Sequence, residues 1–264
     1  MGELENYELE ALLQQLKVVW TYHSNAIEGN TLSKGDTSFI IENGLTVQGK
    51  SIAEHNQVLG HVKAIDLIYE MLGKGILGEN DLFVLHKAIQ TEIVIDSEKP
   101  NGAYKAVPNG RWIEQEGKDV HHYYPAPDIM QHLMDIWFDK YGDFSEPIGS
   151  KKKAVERYTQ MHVSFTSIHP FWDGNGRLAR LISNLPLLYN QYLPIIISTE
   201  RRREYIALLS DYNMTSRVLS KETTELIEHN KAYRALLHFM EEEYSNTEIL
   251  LKALQKSKKV LERK

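Results

Sequence analysis

The chain has no cysteine in its 264 residues. That excludes disulfides, a cysteine nucleophile, zinc–thiolate sites and iron–sulfur clusters. It also lacks an uninterrupted apolar run of the roughly 18 residues a membrane span needs, and the first 30 residues hold no basic-then-apolar signal pattern. A basic excess is missing too: 36 acidic residues stand against 30 basic ones, a net charge of −6. A general nucleic-acid binder would carry the opposite balance. No internal repeat and no low-complexity linker interrupts the sequence. What is present is an ordinary globular mixture, 42% hydrophobic and 25% charged, in a chain long enough to bury a core without staples. The simplest placement is a cytoplasmic protein with one large domain.

The periodicity is mostly helical. Leu9, Leu12, Leu13, Leu16, Val19, Trp20, His23 and Ile27 recur at three- and four-residue steps, with Asn6 as N-cap and Gly29-Asn30 as the stop. Further helices are expected over Asp36–Asn43, Ile52–Leu72, Asn80–Ile93, Asp128–Tyr141, Lys151–Ile168, Glu200–Asn213 and Lys221–Tyr244. Another should run from Gly174 to about Leu185, where Pro186 ends or kinks it. The stretch from Asn101 to Pro127 differs. It holds three of the eight prolines and two β-prone runs, Arg111–Ile113 and Val120–Tyr124, around a Glu116–Asp119 turn. A small β-hairpin or flap is the expectation. The fold class is therefore mainly all-α, a helical bundle with one hairpin.

The segment that points to chemistry is His169-Pro170-Phe171-Trp172-Asp173-Gly174-Asn175-Gly176-Arg177-Leu178-Ala179-Arg180. It lies between two helical patterns and reads as a loop feeding a helix N-terminus. Gly174 and Gly176 let the backbone turn and approach a ligand closely. The first helical turn offers unpaired N–H groups and a positive dipole end, an anion site. Arg177 and Arg180, three residues apart, project from nearly one side. Two guanidinium groups beside such a cradle suit a polyphosphate. Asp173 supplies a hard oxygen for Mg²⁺, His169 a general base near neutral pH, and Asn175 a donor to a phosphoryl oxygen. Together they describe phosphoryl or nucleotidyl transfer.

The whole string resembles the signature of the Fic (filamentation induced by cyclic AMP) family, His-Pro-Phe-x-Asp/Glu-Gly-Asn-Gly-Arg-x-x-Arg, at every specified position. The resemblance implies a compact helical bundle with a flap beside the active site. It also implies transfer of AMP from ATP to a hydroxyl of a target protein, with release of pyrophosphate. Carried over, His169 deprotonates the hydroxyl and Asp173 holds Mg²⁺ between the α- and β-phosphates. Gly174, Asn175 and Gly176 form the anion hole, Arg177 binds phosphate oxygens and Arg180 grips the γ-phosphate. Phe171 is a core anchor, Pro170 shapes the loop, and Trp172 sits at the variable position. Tyr205, in Arg202–Leu209, is a candidate for adenine contact or an ordinary core tyrosine.

A second motif, Ser24-Asn25-Ala26-Ile27-Glu28-Gly29-Asn30, is similar to the family's inhibitory Ser/Thr-x-x-x-Glu-Gly/Asn. The resemblance implies that Glu28 pairs with Arg180, so that ATP binds unproductively. It divides the chain into an inhibitory helix and lead-in over 1–50, a catalytic core over 51–215 with the flap near 101–127, and a helical extension over 216–264. A target segment would dock on the flap by β-augmentation. Relatives often form dimers, so a homodimer is admitted. His86, His121, His122 and His162 show no metal-ligand spacing and read as packed or surface residues. The six basic residues of Lys252–Lys264 read as a solvated helix end. Alternatives are removal of AMP, with Glu28 positioning a water, and transfer of another phosphate-containing group. The kinase-like option is disfavoured by Gly176, where such relatives carry lysine. An idle adaptor is disfavoured by the complete set His169, Asp173, Asn175, Arg177 and Arg180.

Overall fold

The computed structural model describes residues 6–91, 96–115 and 118–261, with side chains over 12–91, 96–113 and 119–253. The all-α expectation holds, with one antiparallel hairpin. The helices are α1 (Asn6–Ile27), α2 (Lys34–Asn43), α3 (Ile52–Leu72), α4 (Glu79–Ile89), α5 (Met130–Tyr141), α6 (Lys151–Ile168), α7 (Asn175–Ile182), α8 (Leu185–Tyr189), α9 (Arg202–Thr215) and α10 (Lys231–Leu261). The hairpin pairs β1 (Gly110–Gln115) with β2 (Lys118–Tyr123). Glu116 and Gly117 of its expected turn and the side chains of Asn6 and Leu9 lie outside the described residues, while α4, expected to reach Ile93, already ends at Ile89, where Gln90 leaves the helical conformation.

Caps explain the sharp starts. Ser51 and Glu54 form a reciprocal capping box at α3, and Ser150 accepts the Lys153 N–H at α6. Three further boundaries differ from the sequence reading. Pro186 begins a helix rather than ending one, because it falls in the first turn of α8, where its missing N–H is no loss. The stretch 221–230, expected to begin the last helix, is irregular. There the Thr223 hydroxyl takes the Ser220 N–H, and Asn230 takes the Tyr233 N–H to start α10 late. The structure also continues α10 past Tyr244 to Leu261, beyond which the basic tail is not described.

Helix α6 is the axis of the bundle. Met161, Phe165 and Ile168 join a core with residues of α3, α4, α5 and α7. Ala154, Val155, Tyr158 and Val163 join a second core with Tyr205 and Leu209 of α9, Leu236, Phe239 and Met240 of α10, and Ile27 at the end of α1. The helix is buried on nearly every side, its polar Thr159, His162, Ser164 and Thr166 included. Its C-terminus, where His169 begins, is therefore held from two sides.

Candidate active site

Ile168 ends α6 and His169 leaves it in the left-handed conformation, φ 52°. A non-glycine residue there stores strain that the surroundings must support. Asn175 supplies part of that support. Its Oδ1 accepts the Phe171 N–H at 2.9 Å and its Nδ2 donates to the Phe171 carbonyl at 2.8 Å. Phe171 is fully buried and stacks on His86 with centroids 3.9 Å apart. His86 accepts the Gly102 N–H on Nδ1 and so donates from Nε2 to the Asp173 carbonyl, 3.1 Å away. Burial holds its pKa down to about 4, so it stays neutral. Gly174 then caps α7 at φ 79°, open only to a residue without a Cβ penalty.

The flap is fastened to the same loop. The Lys105 N–H donates to the Pro170 carbonyl, and Asn109 Nδ2 donates to the carbonyls of Phe171 and Trp172. Arg111 reaches across to the Ser210 hydroxyl of α9 at 3.0 Å. A cleft of about 620 Å³ opens between flap and loop, lined by Glu28, Arg111, Tyr124, His169, Asp173, Gly176, Arg180 and Tyr205 among others.

The expected site residues divide into two groups. His169, Asp173, Gly176, Arg180 and Glu28 meet in the cleft. Asn175 and Arg177 turn inward. Arg177 donates to the Ile89 carbonyl at 3.0 Å, to Gln90 Oε1 at 3.2 Å and to Asp173 Oδ2 at 3.3 Å. Tyr205 is a core residue with its hydroxyl 2.9 Å from His162 Nε2, touching the cleft at its edge. His169 Nδ1 lies 3.4 Å from the Thr166 carbonyl, which can only accept, so Nε2 keeps its lone pair. Burial, then the charges of Lys105, Arg111 and His122, push its pKa down to about 3 against the opposing Thr166 carbonyl. The imidazole is neutral at pH 7.

The Ser24–Asn30 motif reaches this cleft. Arg180 Nη2 donates to Glu28 Oε1 at 2.6 Å and to the Ser24 carbonyl at 2.9 Å, while Nε donates to Ser24 Oγ at 3.1 Å. Arg180 is buried, and Glu28, at the turn after α1, is 42% exposed. Burial opposes the Arg180 charge, but Glu28 and Tyr205 together outweigh it and hold the guanidinium above its ordinary pKa. Gly176 makes the contact sterically possible, since a Cβ there would lie 2.6 Å from Glu28 Oε1. Gly29 turns the chain at φ 99° just after Glu28. Arg202 of α9 donates to the Ile27 carbonyl at 2.6 Å and pins the helix end from the other side. Sequence reasoning gave Lys105, Asn109 and Tyr124 no role. Their one signal was their place in the flap segment.

Residues 76–187 match the Fic/DOC family. The chain is 33% identical over 212 residues to the protein adenylyltransferase fic-1 of Caenorhabditis elegans, covering 78% of this chain and 38% of that protein. It is 31% identical over 214 residues to the protein adenylyltransferase Fic of Aedes aegypti, covering 80% and 39%. The chain thus spans less than two thirds of the length of these relatives. Among solved structures, a Fic domain containing signaling protein from Bacteroides thetaiotaomicron superposes with a TM-score of 0.77 at 25% identity, covering 96% of this chain and 90% of that one. A fragment of Fic-1 from C. elegans gives 0.74 at 25% identity, covering 97% and 69%. The motif, the fold and these relatives agree: the chain carries a domain of the Fic/DOC family over residues 76–187.

Proposed function

We propose that the chain is a protein adenylyltransferase held back by its own first helix. It transfers AMP from ATP to a hydroxyl of a target protein and of itself. Residues 51–215 carry the chemistry and residues 1–50 the inhibition, in the cytoplasm. One observation carries the reading: Arg180 faces the cleft that holds a neutral His169, and Glu28 already occupies it at 2.6 Å.

In the reaction the target hydroxyl oxygen attacks the α-phosphorus, its proton passes to His169 Nε2, and the bond to pyrophosphate breaks. A base must begin unprotonated, as His169 does. Bound phosphates bring negative charge that raises its proton affinity as the reaction proceeds. The N–H groups of the first turn of α7 face the phosphates, and the Arg180 guanidinium, once released, neutralises the γ-phosphate. Asp173 fits Mg²⁺: its carboxylate is 63% exposed at the cleft and tied only loosely to Arg177. Asp173 would hold the ion from the protein side, and Mg²⁺ readily takes its remaining ligands from phosphate oxygens and water. When bound, the ion supplies charge neutralisation of the phosphates. The target enters along the flap strands by β-augmentation.

A second reading, removal of AMP, is favoured by Glu28 itself, a part-exposed carboxylate in the same cleft as His169 and able to orient a water. ATP labelled at the α- or the γ-phosphate separates the activities. The proposal expects α-label on protein, none from the γ-position, and none with His169→Ala. Incorporated γ-label, or labelling that survives His169→Ala, would overturn it.

A further inference from the structure

The imidazole of His169 has little to hold it within its own loop. Its one polar contact among the described residues is the long approach of Nδ1 to the Thr166 carbonyl. Rotation about the last side-chain bond of histidine is broad and nearly two-fold. Something else must set the plane of the ring.

That partner is Tyr124, the residue that follows β2. The two rings lie face to face with centroids 3.6 Å apart and planes 4° from parallel. Tyr124 is itself fixed. Its N–H donates to the Asn109 carbonyl, closing the base of the hairpin. The Lys105 ammonium lies 5.8 Å from its ring centre and donates to Asn109 Oδ1 at 2.7 Å. Asn109 in turn holds the carbonyls of Phe171 and Trp172. Tyr124 thus belongs to a rigid unit of flap and catalytic loop. The charges of Lys105, Arg111 and His122 act on the imidazole, and Glu28, Asp173 and Arg180 line the same cleft.

We propose that Tyr124 is a positioning residue for His169. Its ring fixes the imidazole plane while the Thr166 carbonyl selects which nitrogen faces inward, so that Nε2 is presented to the cleft. Tyr124 follows directly on Tyr123 of β2, so a segment paired with that strand is in register with the base it must meet. The parallel stack keeps the Tyr124 hydroxyl out of the imidazole plane, where a proton acceptor must be approached. Its contribution is therefore the ring face rather than the hydroxyl.

This inference rests on His169 being the base, and the test separates the two claims. In a Glu28→Gly parent, self-labelling is followed against ATP concentration. Tyr124→Ala should lower the maximum rate about 10- to 100-fold with the KM for ATP unchanged, the loss expected from a displaced reacting group. Tyr124→Phe should restore most of it. Imidazole nitrogen–proton NMR of the same variants needs no turnover. His169 should be the single Nδ1–H tautomer in the parent and in Tyr124→Phe, and a mixture in Tyr124→Ala. Tyr124→Leu, which keeps bulk without an aromatic face, serves if Tyr124→Ala does not fold. An inactive parent would refute the adenylyltransferase reading and leave the NMR comparison to judge Tyr124. An unchanged tautomer, or equal rate losses in Tyr124→Phe and Tyr124→Ala, would overturn the positioning role.

Discussion

Substituting Glu28 by glycine tests how tightly the first helix holds the site. Arg180 has three bonds to the motif, and only the 2.6 Å bond to Glu28 joins two full charges. A hydrogen bond between charged groups contributes about 1.5–3 kcal/mol. Glu28 is 42% exposed, so solvent screens the pair and about 1–2 kcal/mol is the appropriate range. Releasing that much favours the free guanidinium by roughly 5- to 30-fold. Under saturating Mg²⁺ and ATP, Glu28→Gly should therefore raise the initial rate of α-label incorporation by about that factor. Glu28→Gln, which keeps the shape and loses the charge, should fall between the two. Ser24→Ala in the Glu28→Gly background should add little, because the Ser24 carbonyl remains as an acceptor. Equal rates for wild type and Glu28→Gly would refute the reasoning, as would a larger gain from Ser24→Ala than from Glu28→Gly.

Arg202→Ala removes the side chain that caps the end of α1 at Ile27, and should raise self-labelling a few-fold, about 1 kcal/mol of lost restraint, in the same assay. His86→Ala removes two hydrogen bonds and the stack on Phe171; thermal unfolding should show a loss of about 2–4 kcal/mol. His61 and His162 are fully buried with pKa values pushed down to about 3, first by burial and then by Arg180. The unfolded chain takes up protons at these positions below about pH 6.5 and the folded chain does not, so stability is present at pH 7 and is lost as pH falls. By pH 5 the two histidines together should remove about 4 kcal/mol. Melting temperatures measured at pH 7 and pH 5 check this, and equal values would contradict the burial of neutral imidazoles.

Much of the scaffold was legible locally. Helical periodicity marked α6 over Lys151–Ile168 and α3 over Ile52–Leu72, and the structure holds both helices at those bounds. The twelve-residue motif and the Ser24–Asn30 motif named the residues that meet in the cleft. Which way those side chains turn was not legible. Asn175 and Arg177 have donors suited to phosphate, yet their partners are the backbone of Phe171 and the end of α4, and neither pairing leaves a local pattern. The stack of Tyr124 on His169 joins segments whose proximity only the folded hairpin creates. The start of α10 was misplaced because Thr223 and Asn230 form turns with their side chains, a competition that helical periodicity does not register.

The central claim is that His169 drives transfer of an adenylyl group once Glu28 releases Arg180. Intact-mass spectrometry of the Glu28→Gly protein after incubation with ATP and Mg²⁺ tests it most directly. The account predicts an added adenylyl group on Glu28→Gly, less of it on wild type, and none on the Glu28→Gly/His169→Ala double variant. An unmodified Glu28→Gly protein, an added phosphate in place of AMP, or an adduct that persists without His169 would contradict it.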